Sequence, residues 1–149
     1  MGHHAIGMDR EHWGPGKVVL SPALMKRIKV RRYGKIGGMH VWTVDGEVVR
    51  NHVYQDFTAG GNPGRYPYVP ANEIWIEKTF TPGDAAGVIA HEYAEWKRMR
   101  HSRQSYDVAH DHANDVEKGI RAAKVAGLVV PANFTEAVDV AKKACAADG

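Results

Sequence analysis

Apolar positions recur along this chain in two rhythms, and the change between them falls near Thr81. Before it they alternate or form short runs; after it they return every three or four residues, as on one face of a helix. From Met25 to Tyr33, Ile28 and Val30 alternate with lysine and arginine, which predicts a strand with one wet, basic face. Met39 to Val44 and Glu47 to Val53 are joined by Asp45-Gly46, a dipeptide suited to the positive φ angles of a type I′ turn. They are expected to form a hairpin that pairs Trp42 with Val49 and His40 with Asn51. Glu73 to Glu77 reads as a further short strand, and Lys17 to Leu20 as another in an otherwise irregular start. Between these, Ala59 to Pro70 is too rich in Gly and Pro for a regular element and is expected to be a long surface loop bordering a functional cleft.

The helical rhythm begins with a start signal. Thr81 offers a hydroxyl N-cap, Pro82 suits the first helical position and Asp84 places an acid in the first turn. This helix is expected to end between His101 and Arg103. Ser105 can cap a second, with Tyr106, Ala109, Ala113, Val116 and Ile120 as its stripe. Gly127 and Pro131 interrupt the chain before a third, where Asn133 and Glu136 form a capping pair ahead of Phe134, Ala137, Val138, Ala141 and Ala144. Strands first and helices after predict an α+β fold: an N-terminal, mostly antiparallel β-sheet with a β-hairpin, followed by three C-terminal helices. At 149 residues the chain is expected to be a single domain, 1–149, with an irregular arm over 1–22, a β-rich part over 25–78 and a helical part over 81–147.

Composition narrows the chemistry. A lone cysteine, Cys145, excludes an internal disulfide and a cysteine-rich zinc module, so a metal would need His and carboxylate ligands. No apolar run approaches the roughly 20 residues of a membrane span, and a cytoplasmic location is the expectation. The formal net charge is +3, mild for a dedicated nucleic-acid binder. The cations nevertheless concentrate in Lys26, Arg27, Lys29, Arg31, Arg32 and Lys35, while the acids lie mostly after Asp45. Gly60 to Gly64 lacks the Lys-Ser/Thr of a phosphate-binding loop.

One stretch breaks the helical pattern. On a helix from Asp84 to Arg100, Ala85, Val88, Ile89, Trp96 and Met99 share a face, and Glu92 falls in its middle. A carboxylate there must be paired, protonated or bound to metal, since burying it bare costs several kcal/mol. His91 and Glu95 lie one turn apart at the edge of the same face, the layout of two metal ligands with a general base between them. On the next helix His110 and Glu117 share a line beside the apolar stripe. If the short link after Arg100 makes the two helices antiparallel, His91, Glu95, His110 and Glu117 meet around one point and can hold zinc or another divalent ion. His112 and His101 are expected to stand apart, and Asp107, Asp111 and Asp115 to face water.

His91-Glu92-x-x-Glu95 resembles the His-Glu-x-x-His helix of zincin-like metallopeptidases, whose histidines bind zinc and whose glutamate acts as general base; Glu95 stands here where the second zinc histidine stands. Together with Val41-Trp42-Thr43-Val44-Asp45-Gly46-Glu47-Val48-Val49-Arg50, Pro70-Ala71-Asn72-Glu73-Ile74-Trp75-Ile76 and Tyr106-x-x-Ala109-His110-x-x-Ala113-x-x-x-Glu117, the motif also looks like an uncharacterised group of small bacterial and phage proteins. The resemblance covers roughly Arg31 to Glu117. It implies a shared fold and a shared site and no particular activity. The zincin-like motif and the residue pattern together lead to the expectation of a metal-dependent hydrolase with Glu92 as its base, acting on a peptide or small molecule; a peptide would align by edge pairing on the Trp75 strand. The alternative is a non-enzymatic bacterial or phage accessory module. In that reading the His/Glu cluster is a structural network, and Lys26, Arg27, Lys29, Arg31 and Arg32 contact nucleic acid.

Overall fold

The computed structural model describes residues 18–128 and 130–148, so most of the expected arm over 1–22 lies outside the described residues. Ser21 accepts a hydrogen bond from Leu24 N and starts a short helix, α1 (Pro22–Ile28), which runs straight into strand β1 (Lys29–Ile36). The strand expected from Met25 therefore begins at Lys29, because a hydroxyl cap followed by proline at the first helical position commits the preceding residues to a turn of helix. Val18 to Leu20 carry no strand.

Strand β2 (Met39–Val44) pairs antiparallel with β1 across Gly37 and Gly38, with Ile36 opposite Met39. Both glycines have positive φ, 53° and 84°, so this two-residue turn is where the hairpin lies. The expected hairpin at Asp45-Gly46 is instead a helix start. Asp45 caps α2 (Gly46–His52), its carboxylate accepting from Glu47 N at 3.1 Å and Val48 N at 3.3 Å. Gly46 is needed there for close approach: an added Cβ would lie 2.0 Å from Glu77 Oε1, which accepts from Gly46 N at 3.0 Å. Asp-Gly is thus ambiguous between turn and cap, and Val49 and Val53, one turn apart and both buried, tip it to helix.

The sheet is completed by β3 (Gly60–Gly61) and β4 (Glu73–Glu77) in the order β1-β2-β4-β3. β2 and β4 are parallel, while the other two pairings are antiparallel. Trp75 is bonded on both sides, opposite Trp42 and Gly61, so β4 is an interior strand and the expected edge pairing of a peptide on it has no free edge to use. Alternation along β4 divides the core. Ile74 and Ile76 pack toward the C-terminal helices, and Trp75 packs with Ile28, Val49, Phe57 and Tyr68 on the other face.

Three helices follow, as the sequence predicts: α3 (Pro82–Arg100), α4 (Tyr106–Val125) and α5 (Phe134–Asp148). Thr81, Ser105 and Asn133 accept the expected cap bonds from Asp84 N, Val108 N and Glu136 N. The fold is α+β. α3 packs against the sheet and against both other helices, while α5 also reaches β1 through Phe134 on Tyr33, so the α3 residues from Ala85 to Ala90 are buried all round. That position decides the chemistry: a charged side chain in the middle of α3 enters the interior whichever way it points. α3 and α4 are antiparallel, with Asp84 against Lys124, His91 against Glu117 and Glu95 against His110.

Candidate metal centre

His91, Glu92 and Glu95 are all buried, with exposures of 7%, 7% and 2%. His91 Nε2 lies 3.4 Å from Glu95 Oε2, and His110 Nδ1 lies 2.7 Å from the same oxygen. One ligand-type atom from each of His91, Glu95 and His110 falls within 4.8 Å of the others. The two imidazoles meet edge to face at 4.9 Å between centroids. Glu117 takes a different position from the other three: its Oε1 is 3.0 Å from His91 Nδ1, the ring nitrogen turned away from Glu95. The His91 N–H is out of line for a hydrogen bond there, so the contact is chiefly one of charge. Arg121 donates to Glu117 Oε2 from one helical turn on, through Nε at 2.9 Å.

A residue outside the helices fixes the acids. Asn62, fully buried directly after β3, donates from Nδ2 to Glu92 Oε1 at 2.9 Å and to Glu95 Oε1 at 3.0 Å. Its Oδ1 accepts from Gly64 N at 2.9 Å and Arg65 N at 3.1 Å. Both amide hydrogens and the carbonyl are therefore used, and the carboxylates are held apart by a donor between them. The Gly-Pro-rich segment read as a surface loop thus contributes a central residue. No local sequence signal marks it, because the pairing spans 30 residues.

Protonation follows from these contacts. Burial, reinforced by the charge of Glu95, pushes the Glu92 carboxyl up to about 8. Burial would lower His91, but the adjoining carboxylates of Glu117 and Glu95 outweigh it and raise the imidazole to about 10. Burial likewise opposes ionisation of Glu95, and its contacts with His91 and His110 still hold it below the usual carboxylate range. Glu117 is held low by His91, against burial, with Arg121 assisting.

The donor set fits a divalent ion. Two ligand atoms on a tetrahedral zinc with bonds of about 2.0 Å lie about 3.3 Å apart. The His91–Glu95 separation of 3.4 Å already matches that, while the His110–Glu95 contact at 2.7 Å is a hydrogen bond that a shared ion would replace. Glu117 lies at the far nitrogen of His91, on the side where a ligating histidine commonly meets a carboxylate, with contact here by charge. A cavity of about 250 Å³ adjoins the cluster, lined by His91, Glu92, Glu95, His110 and Glu117 together with Gly60, Arg65, Tyr66 and Tyr106.

Other candidates stand apart. His101 is exposed against the Trp96 ring, and His112 pairs with Asp148 at 2.7 Å. Asp107, Asp111 and Asp115 face solvent. Cys145 is packed near the Ala90 carbonyl, its thiol pushed up to about 11 by burial. Lys26, Arg27, Arg31, Arg32 and Lys35 are exposed on α1 and β1, while Lys29 is drawn inward to Glu73 at 2.5 Å. No described helix is long and apolar enough to cross a membrane. No protein-family model, curated protein or solved structure matches the chain.

Proposed function

We propose that this chain is a mononuclear, metal-dependent hydrolase of zincin-like type, with zinc as the ion, held by His91, Glu95 and His110. The observation that carries the reading is the convergence of those three side chains, from two antiparallel helices, beside two further acids, Glu92 and Glu117, and a cavity. A bound zinc supplies a Lewis acid and a water acidic enough to lose its proton near neutral pH. Glu92 is the general base. Its carboxyl is buried on the cavity wall beside the proposed ligands and held by one hydrogen bond from Asn62, so it is placed to take a proton from a water bound there. Glu117 places a carboxylate charge beside His91, and Asn62 keeps the two acids from turning toward each other. The walls from Gly60, Tyr66 and Phe80 restrict bulk water at the reacting bond.

Glu92→Gln separates this reading from a purely structural His/Glu network. In a hydrolase the variant keeps zinc with affinity within about threefold and loses about 10²–10⁴-fold in turnover of activated amide and ester substrates. A structural network shows no zinc uptake and no turnover to lose.

A further inference from the structure

Arg65 lies on the wall of the same cavity and is half-buried. Its guanidinium sits 4.6 Å from the centroid of Tyr106 and 5.1 Å from that of Tyr66. Among the described residues it makes no ion pair with a carboxylate, whereas Arg121 on the same cavity is neutralised by Glu117. Half-burying a guanidinium without an anion is costly, and aromatic faces offset that only in part. The acids lining the cavity are engaged elsewhere: Glu92 and Glu95 accept from Asn62, Glu95 contacts His110, and Glu117 accepts from Arg121. Arg65 is built into the site as well, because its backbone N–H is fixed by the same Asn62 amide that spaces those carboxylates. The Tyr106 hydroxyl in turn lies 3.3 Å from His110 Nδ1, so one aromatic ring touches both the cation and the metal-binding cluster.

We propose that Arg65, with Tyr106, is an oxyanion-binding subsite, and that the substrate is a small molecule or chain terminus bearing a carboxylate or phosphate next to the bond that is cut. The inference rests on the hydrolase reading and names its substrate class. A planar guanidinium matches such a group through two parallel hydrogen bonds. Cavity size points the same way: about 250 Å³ is below the roughly 300–1,000 Å³ of sites for drug-sized ligands, so it admits a compact acid and not a long side chain.

Three hydroxamates of equal length test it by calorimetry on the zinc-loaded full chain. Butanohydroxamate is neutral, succinate monohydroxamate carries a carboxylate, and 3-phosphonopropanohydroxamate carries a phosphonate. The acidic probes should bind at least about tenfold tighter than the neutral one, and the stronger of the two identifies the oxyanion. In Arg65→Met the advantage disappears while zinc stoichiometry stays the same; Arg65→Lys, which keeps the charge should the methionine variant fail to fold, retains part of it. Equal binding of all three probes by the zinc-loaded wild type overturns the subsite and leaves the hydrolase reading standing. Failure to take up zinc overturns the hydrolase reading and this inference with it.

Discussion

At the scale of single residues the centre depends on Asn62 as much as on the acids it spaces. Its side chain satisfies two buried carboxylates and two loop N–H groups at once. Asn62→Ala removes all four bonds and leaves Glu92 and Glu95 without a donor between them. Urea denaturation of the metal-free protein should show a loss of about 2–4 kcal/mol, since unsatisfied buried polar groups are among the few causes of large single-site effects. A loss under about 0.5 kcal/mol would mean that the acids do not depend on this amide. Glu92 behaves oppositely. Its raised carboxyl pKa marks an ionised form that folding disfavours, so Glu92→Gln should stabilise the metal-free chain above pH 8, where the wild type carries the charge, and do little below pH 5.

At the scale of elements, the three C-terminal helices were legible because each begins with a side chain that caps its own backbone. Thr81, Ser105 and Asn133 act within three residues of themselves, and such local chemistry is written locally. Glu92 was legible because a carboxylate amid alanines, valine and isoleucine contradicts its surroundings. Asn62 and Arg65 were not, since nothing near Gly60-Gly61-Asn62-Pro63-Gly64 announces that β3 lays this segment over α3. The hairpin at Asp45-Gly46 failed for a different reason: the same two residues serve a type I′ turn and a helix start, and the choice rests on the burial of Val49 and Val53 with the bond from Gly46 N to Glu77, which only the folded chain brings about. That choice can be tested. Asp45→Ser preserves a cap and should cost less than about 0.5 kcal/mol, whereas Asp45→Ala should cost about 0.5–2 kcal/mol. Equal losses would remove the capping role. The Lys78 contact at 3.2 Å is partly exposed and adds little to either figure.

At the scale of the molecule, the cluster sets how stability follows pH. His91 is raised from 6.5 to about 10, so its contribution is complete below about 6.5 and is lost as pH rises through 10. Glu92, raised from 4.5 to about 8, adds a loss in the same direction between those values. Glu95 and Glu117 are lowered from 4.5, and their contribution is lost as pH falls below that point. Calorimetric scans of the metal-free protein should therefore show the highest Tm near pH 5, with a decline toward pH 10 and another toward strong acid. A Tm that climbs steadily from pH 5 to pH 10 would show that His91 and Glu92 do not hold their protons as described. If His91, Glu95 and His110 hold zinc as proposed, added zinc should reverse the alkaline arm, because its ligands must be deprotonated and its affinity rises with pH. At a hundredfold excess over Kd it adds about 2.7 kcal/mol, roughly 5–11 °C for a chain of this size.

Whether His91, Glu95 and His110 hold an ion is read most directly by native mass spectrometry of the chain titrated with zinc, beside Glu95→Gln and His110→Ala. The expected result is one zinc per wild-type chain at near-stoichiometric metal, with affinity lowered at least about a hundredfold in both variants. A wild-type chain that retains no zinc, or variants that retain it equally well, would contradict a metal centre between α3 and α4.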